Sequence, residues 1–135
     1  MIKEIAWEIF ELRKENYLTK TAEEISKLET SFSLLMNKFE DGLKVVNEKS
    51  ELLEVIKRDK DSFDFPITLM IDTYKKLIEL DPICWEHYED FIDYLSWFGP
   101  DWEHEQKEME RYIKTKDWQN AKTVVNIIEY DKDFE

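Results

Sequence analysis

Glycine and proline are nearly missing from this chain, with two and three in 135 residues. Sheet-rich folds turn often and draw on those residues, so their scarcity argues against an all-β design and predicts long helices with few loops. A single cysteine, Cys84, excludes an internal disulfide and a cysteine-rich zinc site, and it suits a reducing compartment. No run of about 18 apolar residues occurs, so no membrane span is expected. The opening "MIKEIAWEIFELRKE" carries acids from Glu4 onward and lacks a small-residue cleavage site, unlike a signal peptide. These features read as a cytoplasmic chain. The two glycines lie far apart, which excludes a glycine-rich phosphate loop.

Positive charge is also scarce. Nineteen Lys and Arg face 32 Asp and Glu, for a net charge of −13. Nucleic acid and anionic membrane would be repelled, and the natural partner of such a surface is basic.

Apolar residues are plentiful, at 42% hydrophobic and 14% aromatic, enough for one domain over residues 1–135 with a real core. Ile2, Ile5, Ile9 and Leu12 recur at helical spacing, with Trp7 and Phe10 widening the stripe. Asn16 and Tyr17 read as a break. Thr21 and Glu24 fit a capping box at the next helix start. From Leu18 every seventh residue is apolar: Ile25, Phe32, Phe39, Val46 and Leu53. Unbroken, this helix would run roughly 58 Å, so a break or bend is expected near residues 40–42, with a second helix to about Arg58. The alternative is one long helix in a coiled-coil dimer, which leaves monomer or homodimer open.

Residues 59–66 read as a polar linker with Pro66 in a first helical turn. A helix with Ile67, Met70, Ile71, Tyr74, Leu77 and Ile78 inward follows, ended by Asp81 and Pro82. The next, about 83–98, turns Tyr88, Phe91, Ile92 and Leu95 inward. Gly99 fits a C-cap, Pro100 a stop and Asp101 an N-cap. Two further helices follow, one around Met109, the other with Trp118, Ala121, Val124, Val125 and Ile128 inward. The tail "DKDFE" reads as frayed. The fold class is all-α: an antiparallel bundle of about six helices, with N-terminal helices over 1–58 and a hairpin half over 66–130.

"YKKLIELDP" has the form of a helix closed by proline. Tyr88, Phe91 and Leu95 follow at the spacing of large packing residues, and "KDWQNAK" opens another helix with Trp118 and Ala121. Residues 66–130 thereby resemble tetratricopeptide-type helical hairpins. Ile92 stands where that family prefers a small residue, and the turns at Asp101 and Asp117 recur at about half its period. The resemblance implies stacked antiparallel helices and binding of a protein segment in a groove.

Catalytic residues are hard to assemble. His87 and His104 are the only imidazoles. Cys84 lies three residues before His87, but its neighbours Ile83 and Trp85 favour a small core residue over a reactive thiolate. Asp101 with His104, and His87 with Asp90, have the spacing of a carboxylate-bridged metal site, which would need further inward ligands. The expectation is no catalysis, no metal and no cofactor. A metal-dependent helical enzyme is the third-ranked reading.

The charge map is more specific. Residues 77–106 contain no Lys or Arg, nine acids and seven aromatic residues. One helix buries only one side, so Tyr94 and Trp97 are expected to lean outward beside Asp90 and Asp93. Glu103, His104 and Glu105 extend this acidic surface. Exposed aromatics ringed by acids suit a hot spot for a basic protein. In size, acidity and missing chemistry the chain resembles bacterial toxin-immunity proteins directed at nucleases. That likeness implies a non-catalytic inhibitor covering a basic toxin or nuclease surface through Asp90, Asp93, Tyr94, Trp97, Glu103, His104 and Glu105. The rival is a tetratricopeptide-like adaptor reading a peptide.

Overall fold

The computed structural model describes residues 2–15, 17–62 and 65–129. Asn16, half of the expected break, and the tail 131–135 lie outside the described residues. Those residues form seven α-helices and two short 3-10 turns, with no strand among them. The helices are α1 (Ile2–Arg13), α2 (Ala22–Val45), α3 (Lys49–Ser62), α4 (Ile67–Leu80), α5 (Trp85–Ser96), α6 (Glu103–Lys114) and α7 (Trp118–Ile127). The all-helical class follows from the 3.6-residue periodicity and the shortage of turn residues. No helix among the described residues is long and apolar enough to cross a membrane.

The chain divides into two compact units, Met1–Met70 and Ile71–Glu135. In the first, α1 packs against both α2 and α3. Ala6, Ile9, Phe10, Phe39, Leu52 and Val55 are among its fully buried side chains. Phe65 joins them, its ring 4.8 Å from Phe10 and 5.1 Å from Phe39. The Phe65 N–H donates to the buried Asp59 carboxylate at 3.1 Å. A buried carboxylate needs such donors. Residues 59–62 are therefore the last turn of α3 rather than the expected linker.

The N-cap half of the expected capping box forms: the Glu24 N–H donates to Thr21 Oγ1 at 3.2 Å, and the Thr21 hydroxyl in turn donates to Glu24 Oε1 at 3.2 Å. The break expected at residues 40–42 does not occur. α2 passes through Gly42 and stops at Val46, whose backbone is extended and whose N–H donates to the Gly42 carbonyl at 3.0 Å. A helical glycine costs only about 1 kcal/mol relative to alanine. Burial of Phe39 and Leu43 on either side outweighs it.

In the second unit, α6 packs against α5 and α7. Tyr74 stacks on Phe91 with centroids 5.1 Å apart, and Leu77, Ile78, Tyr88, Leu95 and Val125 are fully buried. Lys75 Nζ donates to the Ile128 carbonyl at 2.9 Å, satisfying a free acceptor past the end of α7. The corner between α5 and α6 departs from the sequence reading: the C-cap of α5 is Trp97, two residues before Gly99, and Pro100 lies inside a 3-10 turn. Gly99 is left-handed, φ 75°, and a Cβ there would meet nothing within 4 Å, so backbone conformation alone favours glycine. Asp101, however, lies in a 3-10 turn, Gly99–Trp102, and the N-cap of α6 is Trp102, without a side-chain cap. Asp117 does cap α7, accepting from the Asn120 N–H at 3.2 Å.

Candidate partner-binding site

The acidic stretch wraps around α5, and the fold sorts its residues. Tyr94 was expected outside; it is buried, only 8% exposed. Its ring lies 5.4 Å from Tyr74 and 5.2 Å from Phe98, and Phe98 meets Trp102 edge-on at 6.1 Å. The reason is angular. Tyr94 lies three residues past Phe91, close enough around the helix to widen the apolar stripe to meet α4. Trp97 lies beyond the helical stripe as the C-cap of α5 and is 72% exposed. Asp93 is exposed and Asp90 half-buried.

On α6, Glu103 is exposed and pairs with Lys107 at 3.0 Å. His104 is exposed and meets Glu108 at 3.0 Å, one turn on, rather than Asp101. Glu105 is half-buried.

Between α5 and α6 runs a shallow groove of about 290 Å³. Ile92 and Ile113 line it, with Glu89, Asp93, Glu110 and Lys114. Of the seven residues singled out from the sequence, the groove contains Asp93 alone. Glu89 and Glu110 were missed. The available signal was the i, i+4 spacing of Glu89 and Asp93 on the solvent side of α5, and the i, i+3, i+4 set Glu110, Ile113 and Lys114 on α6. Three carboxylates over an aliphatic floor suit a lysine or arginine, whose methylenes cover the isoleucines while the cationic head meets the acids.

A second groove, of about 530 Å³, belongs to the N-terminal unit and was not anticipated. Trp7, Leu12 and Leu35 line it, with Glu8, Glu11 and Glu15. Arg58 partly fills its edge, 4.8 Å above the Trp7 ring and 4.7 Å above Phe10, and pairs with Glu11 at 3.3 Å.

The other histidine meets Asp81. His87 is buried on the first turn of α5, its Nε2 3.3 Å from Asp81 Oδ2. Beside it, the Tyr88 hydroxyl donates to the Pro82 carbonyl at 2.7 Å. Burial, aided by the Asp81 charge, pushes the Tyr88 phenol up to about 12.

No protein-family model matches the chain, and no curated protein and no solved structure matches it.

Proposed function

We propose that this chain is a non-catalytic, protein-binding protein that inhibits a toxin or nuclease domain by covering its basic surface. The observation that carries the reading is the α5–α6 groove, with Glu89, Asp93 and Glu110 over Ile92 and Ile113, in the unit that also exposes Trp97. A nuclease must be basic where it holds phosphate, and an acidic surface competes for those cations. Surface carboxylates speed and orient the encounter, and an exposed tryptophan supplies anchoring area.

The test is a mixing experiment with the product of the neighbouring gene and with basic nuclease domains, followed by stopped-flow and calorimetry; absence of any basic binder would refute the reading. The on-rate should fall steeply between about 10 and 150 mM salt, as the screening length shrinks from about 30 to 8 Å. The pair Glu89→Gln and Asp93→Asn should weaken binding, chiefly through the on-rate. Trp97→Ala should act through the off-rate, with a loss of about 2 kcal/mol. Binding indifferent to salt and to all three substitutions would sink the proposal.

A second reading, a tetratricopeptide-like adaptor, is favoured by α6 packing against both α5 and α7, as consecutive stacked helices do. It predicts binding of an uncharged peptide segment with little salt dependence.

A further inference from the structure

Three groups that sequence spacing scatters along 81–87 converge at the start of α5. Asp81 follows the end of α4, Cys84 is the N-cap of α5 and His87 lies on its first turn. One donor atom from each, a carboxylate oxygen, Sγ and an imidazole nitrogen, lies within 4.8 Å of the other two. We propose that Asp81, Cys84 and His87 form a zinc-binding site with three protein ligands.

The geometry is close to what the ion requires. Zinc bonds of about 2.0–2.1 Å to nitrogen and oxygen, at a tetrahedral angle, place those donors about 3.3 Å apart. His87 Nε2 and Asp81 Oδ2 are 3.3 Å apart. A Zn–S bond of about 2.3 Å asks for sulfur about 3.6 Å from each, and Cys84 Sγ lies within 4.8 Å of both, a distance that rotation of the Cys84 side chain would close. The Cys84 side chain makes no capping hydrogen bond that such a rotation would break.

The surroundings hold the ligands in place. The Cys84 N–H donates to the Asp81 carbonyl at 3.5 Å, and the His87 N–H to the Cys84 carbonyl at 3.2 Å. The Tyr88 hydroxyl bond to Pro82 fixes the turn from the other side. His87 is buried, whereas Asp81 and Cys84 are half-buried, so an ion can reach the site from solvent. Thiolate, imidazole and carboxylate together suit zinc over magnesium or calcium, and three protein ligands leave a fourth position for water or an incoming donor.

The alternative is a hydrogen bond between His87 and Asp81 that merely closes the turn, with Cys84 a bystander. Cobalt and zinc titrations of chelator-treated full-length protein separate the two. The proposal expects one metal per chain by native mass spectrometry and an intense near-ultraviolet sulfur-to-cobalt band. It expects Cys84→Ser to abolish that band, and Asp81→Asn or His87→Gln to weaken zinc at least about tenfold. His104→Gln, on exposed α6, should leave binding unchanged. Far-UV circular dichroism checks that each variant is folded. Should His87→Gln unfold, the wild-type spectrum and Cys84→Ser decide. Failure to bind zinc, a cobalt band that survives Cys84→Ser, or half an equivalent per chain, which would mean an ion shared by two copies, overturns the site. None of these outcomes bears on the groove between α5 and α6.

Discussion

Tyr94 and Trp97 lie three residues apart, and truncating them should have opposite consequences. Tyr94 is 8% exposed and touches two other rings, those of Tyr74 and Phe98. Removing a buried large aromatic costs about 3–5 kcal/mol, including about 0.5–1.5 for each ring pair. Trp97 is 72% exposed, so its truncation should change stability by no more than about 0.5 kcal/mol. With a urea slope of about 2 kcal/mol per molar, Tyr94→Ala lowers the unfolding midpoint by about 2 M and Trp97→Ala by under about 0.3 M. Far-UV circular dichroism is the suitable probe, because Trp97→Ala itself changes tryptophan fluorescence. If the two compact units melt separately, the shift belongs to the transition of the unit starting at Ile71. A loss below about 1 kcal/mol for Tyr94→Ala would refute its place in the core, and a loss above about 2 for Trp97→Ala would refute the exposed site.

Two further outcomes are expected. Because Tyr88 has a folded-state pKa of about 12, above the ordinary value of 10.0, the native state holds that proton while the unfolded chain loses it. Its contribution is intact below pH 10 and is lost as pH rises toward 12, so thermal melts across that window should show a decline that Tyr88→Phe lessens. Thr21→Ala removes the capping bond and should cost about 1 kcal/mol at the start of α2, read as Cα chemical shifts of Ala22 to Ile25 moving toward coil values. Unmoved shifts would mean that the cap carries no energy.

The helices were legible because they are long and periodic, and because Pro66, the Asp81–Pro82 pair and Gly99 punctuate them. What was not legible turned on energies that local sequence does not carry. Gly42 has the residue type of a break, yet Phe39 and Leu43 hold the helix through it. Asp59 reads as a linker residue until its carboxylate is seen accepting from Phe65. At the candidate site, the acidic character of α5 was plain, but a helical wheel leaves Tyr94 at the margin of the buried stripe, and only α4 decides its side. The α5–α6 groove needs Glu110 and Ile113, whose partner helix no spacing rule names. Asp81, Cys84 and His87 are each visible in the sequence, but Asp81 before Pro82 reads as a helix terminator, and spacing alone does not turn its carboxylate toward Cys84 and His87.

α2 has a further consequence. At 24 residues it is about 36 Å long, and its buried residues, Phe39 and Leu43, both lie in its last two turns. Ile25, Leu28, Phe32 and Leu35 are only half-buried. The helix is thus anchored at one end, and its opening free energy should fall toward the other. Amide hydrogens near Leu43 should exchange only when the N-terminal unit unfolds, while those near Ala22 exchange through local fraying. A protease would find its first cut near the start of α2, with the core beneath α1 still folded.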